Sequence, residues 1–195
     1  MSMPVEQHPL QPFLPSESKI LFLGSFPPKR LRWSMEFYYP NFQNDFWRII
    51  GLIFFDEKEY FLRDKRFDEA KVKTFCREKG LAFYDTAQSV IRHMDNASDK
   101  FLEVVEPIDL KIILDQIPSC CNIAITGQKA AETLLALLRQ IVWLEELKVG
   151  ESVLFPWEGR TIRLHRMPSS SRAYPKPLSE KAEDYRTMFR NIGLI

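Results

Sequence analysis

Two apolar runs that end in glycine constrain the fold of this chain more than any other feature. They cover residues 19–24 and 122–127, and a segment with helical periodicity, 128–139, follows the second run directly. A short apolar run that stops at glycine is typical of a strand buried on both faces of a sheet. Such strands, separated by helices, favour right-handed crossovers and a parallel sheet. We therefore predict an α/β protein.

Other segments extend this alternation of strands and helices. Residues 81–84 and 161–166 are predicted strands, giving a central, mainly parallel sheet of four strands. Predicted helices cover 44–55, 68–79, 108–117 and 178–191. The first eighteen residues hold four prolines and few apolar residues, so we expect an extended arm over 1–18 and a single domain over 19–195.

Composition excludes several classes of protein. The chain has 195 residues, of which 45% are hydrophobic and 27% charged, as in an ordinary globular domain rather than a disordered one. The apolar run 49–55 is too short to span a membrane, and no signal-like segment opens the chain, so we expect a cytoplasmic protein without a membrane partner. Three cysteines without a C-x-x-C pair argue against a disulfide scaffold and a metal site.

Ligands of parallel sheets bind beyond the carboxyl ends of the strands, where segment 24–32 lies. A glycine at a strand end lets backbone N–H groups approach a ligand, and Lys29, Arg30 and Arg32 suit phosphate. The segment lacks the G-x-x-x-x-G-K-[ST] and G-x-G-x-x-G patterns of nucleotide sites. A rigid surface loop with solvated cations is the alternative interpretation.

A second segment, 37–47, is rich in aromatic and amide side chains. Aromatic rings beside amides can stack on a planar ring and bind its edges by hydrogen bonds. We assign Phe46 and Trp47 to the core of the following helix. Tyr38 and Tyr39 precede that helix, and Asn44 also fits an N-cap.

A third segment, 166–174, follows the last predicted strand and contains Ser169, Ser170, Ser171 and Arg172. Small hydroxyl side chains suit contacts to backbone phosphates, and the arginine is long enough to enter a duplex. An ordinary serine-rich turn is the alternative. No G-x-S-x-G motif supports a serine hydrolase. His8 lies in the predicted arm, and we place His165 at an ordinary strand position.

In order and spacing the three segments resemble the uracil-DNA glycosylase superfamily, most closely its mismatch-type and hypoxanthine-DNA glycosylase branch. The family pattern is a strand ending in G-x-x-P, an aromatic stretch ending in N-x-F-W, and a distal P-S-[ST]-S loop. Here these motifs read GSFP at 24–27, NDFW at 44–47 and MPSSS at 167–171. The resemblance covers roughly residues 19–191.

The resemblance implies a three-layer αβα sandwich that flips uracil or hypoxanthine out of DNA and hydrolyses the N-glycosidic bond, without metal or organic cofactor. It implies that Asn44 positions water and that Tyr39, or alternatively Tyr38, stacks on the base. The other residues it assigns to the base are Gly24, Ser25, Phe26 and Asp85. Those it assigns to DNA are Lys29, Arg30, Arg32, Ser169, Ser170, Ser171 and Arg172. We expect a monomer whose partner is DNA with a deaminated base.

Two positions depart from the family pattern. Phe26 stands where many members carry an acidic residue or Asn that orients water, and Met167 stands where the distal motif often has His. Two alternatives therefore stay open: a non-catalytic DNA-binding protein of the same fold, and an unrelated α/β protein that binds a nucleotide or base.

The net charge of +1 hides a polarised distribution. Four cations and no acid lie between residues 17 and 36, and five cations and no acid lie between 158 and 180. The rest of the chain therefore carries a net charge of −8. Both windows include predicted DNA-facing loops, and a local basic face can attract a polyanion.

Overall fold

The computed structural model describes residues 3–94 and 98–195. The strands in these residues are β1 (Val5–Gln7), β2 (Ile20–Gly24), β3 (Leu62–Arg63), β4 (Arg66–Phe67), β5 (Leu81–Asp85), β6 (Ala87–Arg92), β7 (Leu102–Pro107), β8 (Asn122–Thr126), β9 (Ser152–Trp157) and β10 (Arg160–Met167). The helices are α1 (Phe46–Phe55), α2 (Glu69–Lys79), α3 (Leu110–Asp115), α4 (Gln128–Leu138) and α5 (Leu178–Asn191). Two 3₁₀ helices cover Arg30–Arg32 and Asp99–Phe101. No helix in the described residues is long and apolar enough to cross a membrane.

The central sheet has the strand order β5-β2-β8-β10-β9. Strands β5, β2, β8 and β10 run parallel, and β9 runs antiparallel to β10. All four predicted strands are present, but the predicted number of four is wrong because β9 adds a fifth. Sequence reasoning missed β9 because it contains Pro156, and a proline fits a strand only at special positions such as a sheet edge. Strand β9 is the last strand of the sheet, so Pro156 lies in an edge strand.

The predicted helices are present, most of them slightly shorter than predicted. Asp68 caps α2 by accepting a hydrogen bond from the backbone N–H of Lys71, and Gly80 ends the helix in the left-handed conformation with φ +70°. Helix α1 packs against α5. Phe22 of β2 contacts both helices, with ring centroids 5.2 Å from Phe46 and 6.1 Å from Phe189. These aromatic contacts hold the start of α1 over the sheet.

The segment predicted as an arm lies along the domain. Strand β1 pairs with β6 in a second, antiparallel sheet of order β1-β6-β7. Further along, Phe13 exchanges two backbone hydrogen bonds of 2.9 and 2.8 Å with Phe83 at the outer edge of β5. A three-residue strand between prolines is too short to show alternation, so no sequence pattern marked it.

The four parallel strands end at the same edge of the central sheet. Their last residues are Gly24, Asp85, Thr126 and Met167. Gly24 lies opposite Asp85 in the register of β2 and β5, and Met167 lies opposite Thr126 in that of β10 and β8. The fold thereby brings four loops together, where parallel sheets bind their ligands.

Candidate functional site

A cavity of about 970 Å³ opens beyond these four strand ends. Its lining includes residues from all three segments singled out in the sequence. Of the predicted site residues, Lys29 and Arg30 are not among the lining residues, and the other twelve are. Arg30 instead forms an exposed ion pair with Glu36, 2.7 Å long.

Gly24 lines the cavity and lies very close to the side chain of Asp85. A Cβ at Gly24 would lie 2.6 Å from Asp85 Oδ1 and 3.7 Å from Tyr39 Oη, so only glycine fits without displacing a neighbour. The next residues, Ser25 and Phe26, are buried, and no described residue accepts from their backbone N–H groups. The side chain of Phe26 packs in a small apolar cluster with residues of β6 and β7. The loop therefore has two backbone donors to offer a ligand.

His8 of the N-terminal segment makes a buried contact with Asp85. Its Nε2 lies 2.9 Å from Asp85 Oδ2, and the two side chains are 3% and 10% exposed. The imidazole ring packs against Phe26, Tyr84 and Tyr38, with centroid distances of 5.2, 4.8 and 6.3 Å. Sequence reasoning left His8 out of the site because nothing local shows that the arm folds back.

Ser25 holds a second carboxylate in the cavity wall. Its Oγ donates to Asp99 Oδ2 over 2.6 Å. Burial raises the pKa of Asp99 and nearby Asp85 adds to that, while the Ser25 hydrogen bond, Arg92 and Lys129 oppose the rise. A carboxylate with a raised pKa accepts a proton more readily than that of an ordinary aspartate. In the sequence, Asp99 is similar only to the middle-strand region of the family, and sequence reasoning gave it no catalytic role.

Tyr39 is held in place on both sides. Its ring stacks on Phe46 with a centroid distance of 3.9 Å and an interplanar angle of 5°. Its Oη lies 2.6 Å from Thr126 Oγ1, and its φ of +52° is unusual for a residue with a side chain. Burial raises the pKa of Tyr39, so the phenol is neutral. Tyr38 is 3% exposed and donates its hydroxyl to the Gln11 carbonyl.

Asn44 precedes α1, which begins two residues later than predicted. Its Oδ1 accepts from the backbone N–H of Phe46 over 2.9 Å. An amide oxygen has two lone pairs, so this oxygen can still accept from a water molecule. Asn44 and Ser171 form an isolated bridge, and the Asp45 N–H donates to the Ser170 carbonyl over 2.9 Å. The second and third segments are thus joined by their backbones.

A network of charged side chains, from exposed Arg172 to buried Asp45 and Lys181, reinforces this junction. Arg172 Nε lies 2.9 Å from Asp45 Oδ1, and its Nη1 donates to Gln43 Oε1 over 2.8 Å. Lys181 is 1% exposed, donates to the Ser171 carbonyl over 2.7 Å and lies 3.7 Å from Asp45 Oδ2. Arg172, predicted to enter a duplex, is therefore paired within the protein. Lys181 lies on the apolar face of α5, a sequence signal that could have revealed it.

His165 is buried in β10 and does not line the cavity. Burial lowers the pKa of His165 to about 4, and Arg163 contributes to this shift.

Across residues 3–94 and 98–195, no three His, Cys, Asp or Glu side chains are grouped so that they could hold a metal ion. Cys76 and Cys120 are buried, and Cys121 is exposed.

Comparison with known proteins identifies the fold. No family model and no curated protein matches the chain. Among solved structures, the chain is similar to the solution NMR structure of a "putative Uracil DNA glycosylase" from Methanosarcina acetivorans, with a TM-score of 0.66. The chain has a uracil-DNA glycosylase-like fold. The two proteins are 21% identical, and the match covers 97% of this chain and 99% of the other. This similarity confirms the predicted uracil-DNA glycosylase-like α/β fold.

Proposed function

We propose that this protein is a DNA glycosylase that binds uracil or hypoxanthine turned out of DNA and hydrolyses its N-glycosidic bond. The main support is that all three family-like segments meet at one cavity at the carboxyl edge of the sheet. The fold shared with the Methanosarcina acetivorans protein supports the same class of activity. The proposal includes a three-layer αβα arrangement, a monomeric cytoplasmic protein, and chemistry without metal or organic cofactor.

Polar groups in the cavity wall match what deamination changes in a base. Deamination replaces an amino group by a carbonyl and turns the neighbouring ring nitrogen from a hydrogen-bond acceptor into an N–H donor. Asp85 Oδ1 can accept from that N–H, while the backbone N–H groups of Ser25 and Phe26 can donate to the carbonyl oxygen. Cytosine and adenine would instead place a ring nitrogen that is an acceptor against the carboxylate oxygen. The two acceptors could not form a hydrogen bond, and leaving them unsatisfied costs about 1–3 kcal/mol.

Tyr39 provides a pre-arranged surface for the extruded base. Extrusion costs a few kcal/mol, and stacking on an aromatic ring returns about 1–3 kcal/mol per base. The contacts of Tyr39 with Phe46 and Thr126 fix the ring before a ligand binds, so little further ordering is needed. A cavity of about 970 Å³ has room for a nucleoside.

Hydrolysis requires a water molecule that is both positioned and deprotonated. Asn44 can position it through Oδ1, but a neutral amide cannot take its proton. We assign that role to Asp99, whose raised pKa suits a proton acceptor. The water oxygen bonds to C1′, the bond to the base nitrogen breaks, its electron pair leaves with the base, and the water proton passes to the carboxylate. The Ser25 and Phe26 N–H groups stabilise the charge that develops on the base oxygen.

Neither Phe26 nor Met167 can supply the acid–base groups that many family members carry at these positions. The leaving base is then stabilised chiefly by backbone donors, so we expect a slow enzyme. Arg32 and the serines 169–171 lie around the cavity and are proposed to contact the DNA backbone, with Lys29 and Arg30 contributing charge from outside it.

A base-release assay tests the proposal. Single- and double-stranded oligonucleotides carrying uracil, hypoxanthine, xanthine or a thymine mispair are incubated with the protein, and abasic sites are detected by alkaline cleavage. We expect release of uracil or hypoxanthine. Salt-dependent DNA binding without abasic product would instead identify a non-catalytic DNA-binding protein. Tight binding of a mononucleotide without DNA binding would identify an unrelated base-binding protein.

A further inference from the structure

The two oxygens of the Asp85 carboxylate have different surroundings. Oδ2 lies 2.9 Å from His8 Nε2, whereas Oδ1 lies beside the α-carbon of Gly24 at the cavity. A carboxylate without a partner exchanges its oxygens by rotation, which moves its acceptor direction. The contact with His8 holds Oδ2 in place and thereby fixes the direction in which Oδ1 accepts a hydrogen bond.

The hydrogen bonds of His8 keep Nε2 a donor in either charge state. His8 Nδ1 lies 3.2 Å from the backbone nitrogen and 2.9 Å from the carbonyl oxygen of Leu10. In the neutral ring Nδ1 accepts from the Leu10 N–H, which places the proton on Nε2 facing Asp85. In the charged ring Nδ1 donates to the Leu10 carbonyl, and Nε2 still donates to Asp85.

The surroundings of His8 prevent the ring from turning away. Aromatic rings of Phe26, Tyr84 and Tyr38 pack around it. The backbone on either side is anchored as well, because β1 pairs with β6 and the His8 N–H donates to the Gln88 carbonyl over 2.8 Å. His8 and Asp85 are 77 positions apart, so this precision comes entirely from the docked N-terminal segment.

We propose that His8 is a positioning residue of the base-binding site, which holds the Asp85 carboxylate so that Oδ1 accepts from the ring N–H of a deaminated base. This inference rests on the proposed function and deepens it, because it makes the N-terminal segment part of base selection. A fixed acceptor discriminates between a ring nitrogen that carries a proton and one that does not. A carboxylate released from His8 can turn toward water and loses that discrimination.

The test uses variants that separate hydrogen bonding from packing. His8→Phe keeps an aromatic ring but removes the donor, whereas His8→Gln keeps a donor near the position of Nε2. Glu6→Gln is the matched control, because Glu6 lies on the same docked segment as His8. This change weakens the ion pair of Glu6 with Arg92 of β6 and does not alter a contact of Asp85. Thermal unfolding of each variant shows that the fold is intact.

The readout is preference for the ring N–H, measured by binding and by cleavage. Duplexes carry uracil or N3-methyluracil on a 2′-fluoroarabinose, which resists hydrolysis, for fluorescence anisotropy; ordinary deoxyribose versions are used for kcat/KM. We expect the wild type and Glu6→Gln to prefer uracil to the same extent. His8→Phe should lower this preference about tenfold, and His8→Gln should restore most of it.

Three results would overturn the inference: a wild-type preference retained in His8→Phe, an equal loss in Glu6→Gln, or no preference for the N–H in the wild-type protein. Absence of base release from every duplex contradicts the proposed function instead. The binding preference on uncleaved duplexes then decides the role of His8 by itself.

Discussion

Gly24 and Asp85 approach each other so closely that a Cβ on the glycine would lie 2.6 Å from the aspartate Oδ1. Asp85 cannot retreat easily, because its other oxygen is bound to buried His8. The shape of the cavity at this point therefore depends on the absence of one methyl group.

Gly24→Ala tests this close approach. We expect a loss of roughly 1–3 kcal/mol in the free energy of unfolding, as for other overpacked sites, together with loss of base binding. The second variant, Asp85→Ala, removes the group that clashes, so the double variant should be more stable than the sum of the two single changes predicts. Urea denaturation measures the stability of the wild type and of all three variants. Strict additivity would show that the clash is relieved by some other movement.

Asn44→Ala tests the water-positioning role. We expect single-turnover excision to fall at least about 100-fold, while the affinity for DNA changes little. Loss of the hydrogen bond to the Phe46 N–H should also cost about 1 kcal/mol of stability. Asn44→Ser is the control for that hydrogen bond, since its hydroxyl can accept from the same N–H. Excision by Asn44→Ala at the wild-type rate would rule out the role.

Asp99→Asn tests the proton acceptor through the pH profile. A base acts only when ionised, and burial and Asp85 raise the pKa of Asp99 above its ordinary value. Wild-type excision should therefore rise with pH through that raised pKa and then level off. Asp99→Asn should be slow at every pH and lack this rise. A profile that keeps the same shape in the variant would assign the titration to another group.

The salt dependence of DNA binding distinguishes two arginines that line the cavity. Arg32 is exposed, and no described residue pairs with its guanidinium, whereas Arg172 is paired with Asp45 and Gln43. Each phosphate contact contributes about 0.9 to the slope of log K against log salt. We expect Arg32→Ala to reduce the slope by nearly that amount and Arg172→Ala by much less. Lys19→Ala is the control, because this exposed cation precedes β2 at the opposite sheet edge; equal effects of all three would point to non-specific attraction.

His165 makes stability depend on pH. Burial and Arg163 lower its pKa in the folded protein to about 4, against 6.5 for an ordinary histidine. The unfolded chain therefore takes up a proton first, so the stabilisation is complete above pH 6.5 and is lost as the pH falls toward 4. Between pH 7 and 4 the stability difference between the wild type and His165→Gln should change by roughly 3 kcal/mol. Urea denaturation across this range measures it, and parallel curves would contradict the prediction.

Local sequence signals predicted the elements that carry their own pattern. Strands β2 and β8 are short, mainly apolar runs that end in glycine or just before it, and α2 carries both of its caps in the sequence. The three segments around the cavity were recognisable because each follows or precedes such an element.

Contacts between distant residues could not be predicted in the same way. Nothing in the sequence around His8 indicates that its ring meets Asp85, since the pairing depends on the return of the first residues along β6. The match of Asp45 with Arg172 spans 127 positions and likewise exists only in the folded chain. Strand β9 was not predicted because it contains Pro156. Proline interrupts a central strand, but an edge strand can accommodate it.

The pairing of Phe13 with Phe83 also covers part of the outer edge of the central sheet. The unpaired edge of a sheet is a template for strand addition from another molecule. On the β9 side Pro156 has no N–H to offer, and on the β5 side Phe13 already occupies the backbone groups of Phe83. A chain shortened past Phe13 would expose the edge of β5 and gain a route to intermolecular sheet formation and aggregation.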